Sequence, residues 1–465
     1  MTRHPYALWS AAPVSRLRIL LLSALCMLHA PAPAAGGDSV TALPAPVVDL
    51  AVADAGRSLV LQLQGQKGLT VYDTRTQKLS TIALPSADFT FGAGGDTAVV
   101  FLKETSEIRS FNLQTLTQDK AKAFADPVIL MRIVMGHSRS DLAFVRIARG
   151  TDSLSQTTNQ FLDVSTLTLQ PPRDTQLRLG RNTSYRDNAH YRANGDMSRM
   201  TEWATSHSPC GIYLYTRTAD GYQMQGNHDS AGHLAMGDDG RIYTGLGSVM
   251  DLALKQEGPF PAPIGPVGKV PGSSLFPGIG GRFFLGLQSD GTLTLYPSGE
   301  TTALCPLDPF PDWTPPRSFD PKRPQPPSTM DDWLKGTLTL DKRITFAPAA
   351  GHLVFLPPAN DRLIQRQFDL TAAFEKSGRD YLQVLSTPPV NARAGAPWEY
   401  RLTTLAKHSP LQFQLEKSPE GMALSPEGIL TWKIPGGIQG TAPVTVTITD
   451  SKAQVIRHTF TITFE

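Results

Sequence analysis

Cysteine is scarce in this 465-residue chain, with three in all. That excludes a small fold stapled by several disulfides. Charge is sparse too: Asp, Glu, Lys and Arg make up 18%, against roughly 25% in an average soluble domain. The 43 lysines and arginines nearly cancel the 41 aspartates and glutamates, for a formal charge of +2. No basic excess marks a nucleic-acid surface, so nucleic acid is not an expected partner. Past residue 35 no apolar run approaches the ~20 residues that span a bilayer. Gly-x-Ser-x-Gly, His-Glu-x-x-His and a phosphate-binding glycine loop are all missing. No catalytic residue, cofactor or metal site is assigned on that basis.

Glycine (39) and proline (38) are plentiful instead. Together they exceed the ~12% of an average chain. Frequent turns between short runs of Val, Ile, Leu and Phe indicate an all-β protein. The N-terminus has another character. Arg3, Arg16 and Arg18 precede the apolar run Ile19 to Leu28, and Ala30-Pro-Ala-Pro-Ala-Ala35 follows. This is the tripartite pattern of a secretory signal over residues 1–35, cleaved after Ala34 or Ala35. Leu25 stands where a lipoprotein signal has a small residue, which argues against lipidation at Cys26. Loss of the three arginines moves the formal charge from +2 to −1. The mature protein is then expected to be exported, in the periplasm or at the cell surface, with no transmembrane segment. Cys210 and Cys305 remain, and an oxidising compartment allows them one disulfide. Asn182-Thr-Ser184 is a sequon that matters only in a glycosylating host.

A motif of an apolar run, a glycine-containing turn and a second apolar run recurs seven times. The copies begin at Val48, Phe89, Met131, Tyr191, Leu234, Leu275 and Ile344, with a period near 41–42 residues broken by insertions. Copy four, Tyr191 to Trp203, fits least well. Several copies carry a third strand ending in a polar turn, as in Thr70-Val-Tyr-Asp-Thr-Arg75, Phe161-Leu-Asp-Val-Ser165 and Arg366-Gln-Phe-Asp-Leu370. A fourth follows in places, as in Leu79 to Leu84. Four short strands per ~40 residues make a blade that buries its faces only by stacking around an axis. Residues 39–387 thus resemble the seven-bladed exported propellers of the WD-repeat and YVTN type. The resemblance rests on the period and on the Tyr-Asp-Thr strand ending; the Gly-His…Trp-Asp signature is absent. Val40-Thr-Ala-Leu-Pro44 reads like the outer strand Thr81 to Pro85 and completes the last blade in one arrangement. In the other, Tyr381 to Leu385 is that strand and the ring closes by packing alone.

With strands lettered a to d from the axis outward, b–c and d–a connections share one face. The long insertions, Ala148 to Asn159, Gln170 to Ala189 and Pro306 to Lys335, all fall there, so that face is the expected binding surface. Cys210 and Cys305 fall there as well. Nine of the 38 prolines lie between Pro306 and Pro327. Phe310, Trp313, Phe319 and nearby Trp333 are the candidate binding aromatics, suited to stacking on sugars or gripping a peptide. The alternative is that they cap the propeller as a hydrophobic plug.

From Pro388-Pro389 the pattern changes to strict alternation, as in Val444 to Asp450 and His458 to Phe464. About seven strands in residues 388–465 indicate a β-sandwich. The run Pro419-Glu-Gly-Met422…Gly428-Ile-Leu-Thr-Trp432 resembles the immunoglobulin-like, cadherin/dystroglycan-type modules of bacterial exported proteins. That resemblance implies a spacer or adhesive unit, with Gly421 and Gly428 in turns and Trp432 in the core. Some such modules bind calcium, but Ser451-Lys-Ala453 lacks an acidic turn.

His190, His207, His228 and His233 cluster in sequence, yet no spacing converges them on a metal. They are expected to be solvated loop histidines. The functional expectation is an exported binding or scaffold protein holding a protein or glycan partner of the cell envelope. The alternatives are a hydrolase or lyase working in the propeller channel, and a purely structural envelope component.

Overall fold

The computed structural model describes residues 37–125, 128–149, 157–170, 189–204, 212–218, 221–227, 232–252, 264–313 and 338–464. Residues 1–35, the sequon, Cys210, His207, His228, Phe319 and Trp333 lie outside that set. Seven four-stranded antiparallel sheets follow one another along the chain. Their innermost strands are Val47–Ala53, Phe89–Gly94, Val128–Val134, Ala189–Ala193, Leu234–Met236, Ser273–Pro277 and Ile344–Ala347. Each inner strand touches the next, and the last reaches the turn Asp54–Gly56 of the first blade. The result is a closed ring, a seven-bladed β-propeller followed by an immunoglobulin-like module.

Burial explains the strand compositions. Thr97–Leu102, a second strand, is buried at all six positions because neighbouring blades cover both faces of its sheet. Such a strand reads as a continuous apolar run, without alternation. The outermost strand of that blade, Gln118–Ala123, is exposed throughout and polar. Near the axis the limit is space. A Cβ on Gly94 would lie 2.2 Å from the Gly136 carbonyl oxygen, and one on Gly136 would lie 2.4 Å from that of Gly195. Only glycine lets consecutive blades approach so closely.

Ring closure follows the first of the two arrangements. Ser39–Ala42 pairs with the third strand of the last blade, Arg362–Gln367, and supplies its outer strand. Asp38 anchors this strand through a bidentate pair with Arg366, 2.7 and 2.8 Å. The seam between last and first blades is further joined by Gln365. Its side chain accepts from the Tyr72 hydroxyl at 2.9 Å and donates to the Thr74 carbonyl at 2.8 Å. Tyr381 to Leu385 belongs elsewhere: Leu382–Val384 pairs with Thr404–Ala406 of the C-terminal module.

Between blade seven and that module runs a two-turn helix, Leu370–Ser377, where the sequence reading had none. Asp369 caps its start by accepting from the Ala372 N–H, and Gly378 ends it in the left-handed conformation. Phe374 stacks on Tyr381 at 4.7 Å and meets Phe283 of blade six edge-on at 5.8 Å. In the module, one sheet holds Asn391–Ala392, Val455–Phe464, Thr441–Thr449 and Gln412–Lys417, and the other holds Pro397–Arg401, Ile429–Lys433 and Ala423–Leu424. Trp398, Tyr400, Leu430, Trp432, Val446 and Ile462 share its core.

The module is docked on the propeller by a buried polar chain. Arg282, at the a–b turn of blade six, donates to His458 Nδ1 at 3.1 Å. His458 Nε2 donates to the Tyr400 hydroxyl at 3.1 Å, and that hydroxyl donates to the Ser386 carbonyl at 2.9 Å. Burial, then the Arg282 charge, push the His458 pKa down to about 4. The neutral ring is the form this chain of donors requires.

Candidate functional site: the propeller channel

The inner strands surround an axial cavity of about 610 Å³. It is reached from the b–c and d–a face, because its outer lining comes from the starts of a-strands (Val48, Asp49, Asp88, Ile129) and the ends of b-strands (Gln62, Lys103). Apolar side chains make most of the wall, among them Leu50, Phe91, Met135, Met236 and Phe276.

A charged cluster interrupts that wall. The turn before the inner strand of blade seven supplies Asp341 and Lys342. Blade four supplies His190 and Arg192, blade three Arg132 and blade one Asp49. The Asp341 side chain is 3% exposed and accepts from Arg192 Nε. Thr339 Oγ donates to the same carboxylate and accepts from Arg192 Nη2 at 2.6 Å. Burial alone would raise the Asp341 pKa, but the Arg192 and His233 charges and the bonds from Arg192 and Thr339 bring it down to about 2. Lys342 donates to Asp49, which also accepts from the Leu50 N–H at 2.8 Å. His190 stacks on Trp203 at 5.1 Å, and the Arg192 guanidinium lies over the same indole at 5.1 Å. Burial and then the charge of Arg192, with Arg132 and Lys342 adding to it, push the His190 pKa down to about 3. His190 is therefore a neutral wall residue.

At the other end of the axis the a–b turns are drawn together. The Asp238 carboxylate of blade five accepts from the Gly195 N–H of blade four at 2.7 Å and the Gly280 N–H of blade six at 2.7 Å. It also meets His137 Nε2 of blade three at 3.1 Å through both oxygens. The His137 carbonyl in turn accepts from Ala55 of blade one and Gly95 of blade two, at 3.0 and 3.1 Å. One His–Asp pair thus connects six of the seven blades. A cavity of about 110 Å³ lies beside it, sharing Val52, His137, Met236, Pro277 and Ile344 with the larger one. Burial opposes both charges. The Asp238 charge and bond nevertheless raise the His137 pKa above 6.5, and His137 with the two N–H groups holds Asp238 below 3.8. His137 Nδ1 faces Ser138 Oγ at 2.9 Å.

The candidate residues from the sequence are placed differently. Phe310 is 4% exposed and stacks on Phe355 at 4.3 Å, in the core shared by blades six and seven. Trp313 is half-buried, and its indole N–H donates to the Ser289 carbonyl at 3.2 Å. Both pack in the seam between blades six and seven, and Phe310 is not offered to a ligand. Cys305 is a buried free thiol; its expected partner Cys210, like Phe319 and Trp333, lies outside the described residues. His190 and His233 are corrected from solvated loop residues to buried ones, 8% and 1% exposed. His233 sits just before an inner strand and donates from Nε2 to the Leu275 carbonyl of blade six at 3.2 Å. Long connections are not confined to one face either. The third strand of blade five ends at Leu252 and its fourth begins at Ile264, a long c–d connection whose residues 253–263 lie outside the described set.

Sequence reasoning missed Arg132, Arg192 and the His137–Asp238 pair. The available signal was a cation inside an inner-strand run, in Met131-Arg-Ile133 and Tyr191-Arg-Ala193.

Comparison with known proteins bears mainly on the C-terminal module. Residues 382–465 match the family model described as "Putative Ig domain". No curated protein matches the chain in sequence. Among solved structures, the β-propeller domain of Cps50 (Swd1) from Myceliophteria thermophila has 9% identity and a TM-score of 0.42, covering 72% of this chain and 100% of its own. Hydrazine synthase of Kuenenia stuttgartiensis has 12% identity and a TM-score of 0.40, covering 70% and 97%. The WD40 repeats of RRP9 have 9% identity and a TM-score of 0.42, covering 72% and 99%. The propeller assignment stands on the chain's own sheet topology, and no activity or partner is carried over from these structures.

Proposed function

We propose that this chain is an exported binding and scaffold protein of the cell envelope, of the YVTN-like surface kind. In this reading residues 1–35 are a cleaved signal, 39–387 the propeller and 388–465 the sandwich. The b–c and d–a face holds a protein or glycan partner, and the insertions 148–159, 170–189 and 306–335 shape it. The sandwich extends the propeller as one rigid unit, a role that the Arg282–His458–Tyr400 contact supports.

One observation carries the choice of binding over turnover. The channel carboxylates are already engaged: Asp49 by Lys342, Asp88 by Lys103, Asp341 by Arg192 and Asp238 by His137. A hydrolase or lyase needs a carboxylate or imidazole free to take a proton. These groups are ion-paired, and His190 has a basicity too low for the task.

A channel hydrolase is favoured only by the row Ser138–His137–Asp238, which superficially matches a nucleophile, base and orienting acid. Its electrostatics run the wrong way. Asp238 raises the His137 pKa and so favours the charged ring, whose Nδ1–H would donate to Ser138 Oγ instead of drawing its proton. Treatment with a fluorophosphonate probe separates the readings. The binding reading predicts no adduct on Ser138. A Ser138 adduct that His137→Gln abolishes would establish the hydrolase.

A further inference from the structure

We propose that the propeller channel is a binding site for a monocarboxylate with an apolar body, its carboxylate seated on Arg132. This site lies inside the channel that opens onto the b–c and d–a face, and its ligand is distinct from the partner proposed for that face.

The charge balance of the cavity leads there. Its lining holds four lysines and arginines, Lys103, Arg132, Arg192 and Lys342, and three carboxylates, Asp49, Asp88 and Asp341; His137 also lines it and is paired with Asp238 outside it. Each carboxylate bonds one cation: Asp88 to Lys103 at 2.6 Å, Asp49 to Lys342 and Asp341 to Arg192. Arg132 is the cation left over. Its guanidinium donates to its neighbour's carbonyl, Met131 O, at 2.8 Å, and makes no ion pair among the described residues. A guanidinium offers five N–H donors in a fork that matches a carboxylate. Burial disfavours the Arg132 charge; Asp49, itself bonded to Lys342, and Tyr191 favour it from a distance, while Arg192 and Arg146 add positive potential there. A half-buried arginine without a counter-ion is costly, and a bound anion relieves that cost. The surplus is a single charge, which suits a monoanion.

The remainder of the cavity selects the ligand's body. Leu50, Phe91, Met135, Met236 and Phe276 give it apolar walls. Val48 and Ile129, both 42% exposed, are two of the five large hydrophobics open to solvent among the described residues, and both line this cavity. They form an apolar lip at the open end. A volume of about 610 Å³ falls within the ~300–1,000 Å³ of sites that enclose a small organic ligand.

The test uses sodium decanoate and decan-1-ol as matched probes, titrated calorimetrically into the purified protein. Decanoate should bind saturably at one site, with decan-1-ol roughly tenfold weaker or worse. Arg132→Gln should bring decanoate to the level of decan-1-ol, Arg132→Lys should fall between, and Ala51→Phe, which fills the cavity from blade one, should abolish both. Circular-dichroism melts check that each variant is folded. Should Arg132→Gln not fold, the decanoate to decan-1-ol ratio and Ala51→Phe decide the matter. Equal affinities for the two probes, decanoate binding undiminished in Arg132→Gln or Ala51→Phe, or no saturable binding of decanoate would each overturn the proposal. So would inorganic phosphate binding as tightly as decanoate.

Discussion

Asp238 ties the ring together at its axis, taking donors from three blades besides its own. Removing one partner of a partly buried ion pair leaves the other charge uncompensated. Asp238→Asn should therefore cost about 3 kcal/mol of unfolding free energy, measured by urea denaturation. The pH dependence has a definite sign. Because His137 is raised above 6.5, its contribution is full below that value and is lost as pH rises through its folded pKa. Because Asp238 is lowered below 3.8, its contribution is present above that value and is lost as pH falls through its folded pKa. The gap between wild type and Asp238→Asn should thus be wider at about pH 5.5 than at about pH 9. An equal gap at both would place the stabilisation in the backbone N–H bonds alone. None of this was legible from sequence. His137 and Asp238 stand in copies three and five, 101 positions apart, and meet only because the ring brings their turns to one axis.

Elements were far more legible than sites. The seven inner-strand runs and their glycine turns show in the sequence because every blade needs a buried second strand and a tight approach at the axis. Gly94 and Gly136 mark those approaches directly. The module's strands were legible through alternation, since only one face of each sheet is buried. The helix Leu370–Ser377 was not, being two turns long between two β domains. Its capping signals were nevertheless present, Asp369 before it and Gly378 after. Asp369→Ala should lower stability by about 1 kcal/mol, read from the urea midpoint. The contact between propeller and module is the acid-sensitive element. The unfolded chain protonates His458 near pH 6.5, while the folded protein resists until about 4. As pH falls through that window the unfolded state gains a proton that the folded state lacks, which costs up to about 3 kcal/mol. His458→Gln should be less stable at neutral pH and show a shallower acid decline. An unchanged acid slope would show that His458 does not titrate in this window.

For the whole molecule, closure is the decisive feature. The N-terminal strand Ser39–Ala42 completes the last blade, so both ends of the propeller are held in one sheet. Deleting residues 37–43 should leave Arg362–Gln367 as an open edge, lower the unfolding midpoint and promote association, visible by light scattering. The composition looks different in this light. Phe310, within the proline-rich stretch, is a core residue between blades, which removes that aromatic from the proposed binding surface. The scarcity of charge reflects how much of each blade is sandwiched. The few charges inside the channel are nearly all spoken for, and Arg132 alone is left without an ion pair among the described residues. The central claim, that this is a binding protein whose looped face holds an envelope partner, is tested most directly by partner capture. Envelope extract from the source organism is passed over the immobilised protein and over a variant lacking residues 314–335, which keeps Phe310 and Trp313. The account predicts a partner retained by the intact protein and lost from the deletion variant, with the variant's melting profile preserved. The same partners on both surfaces, or none on either, would contradict it.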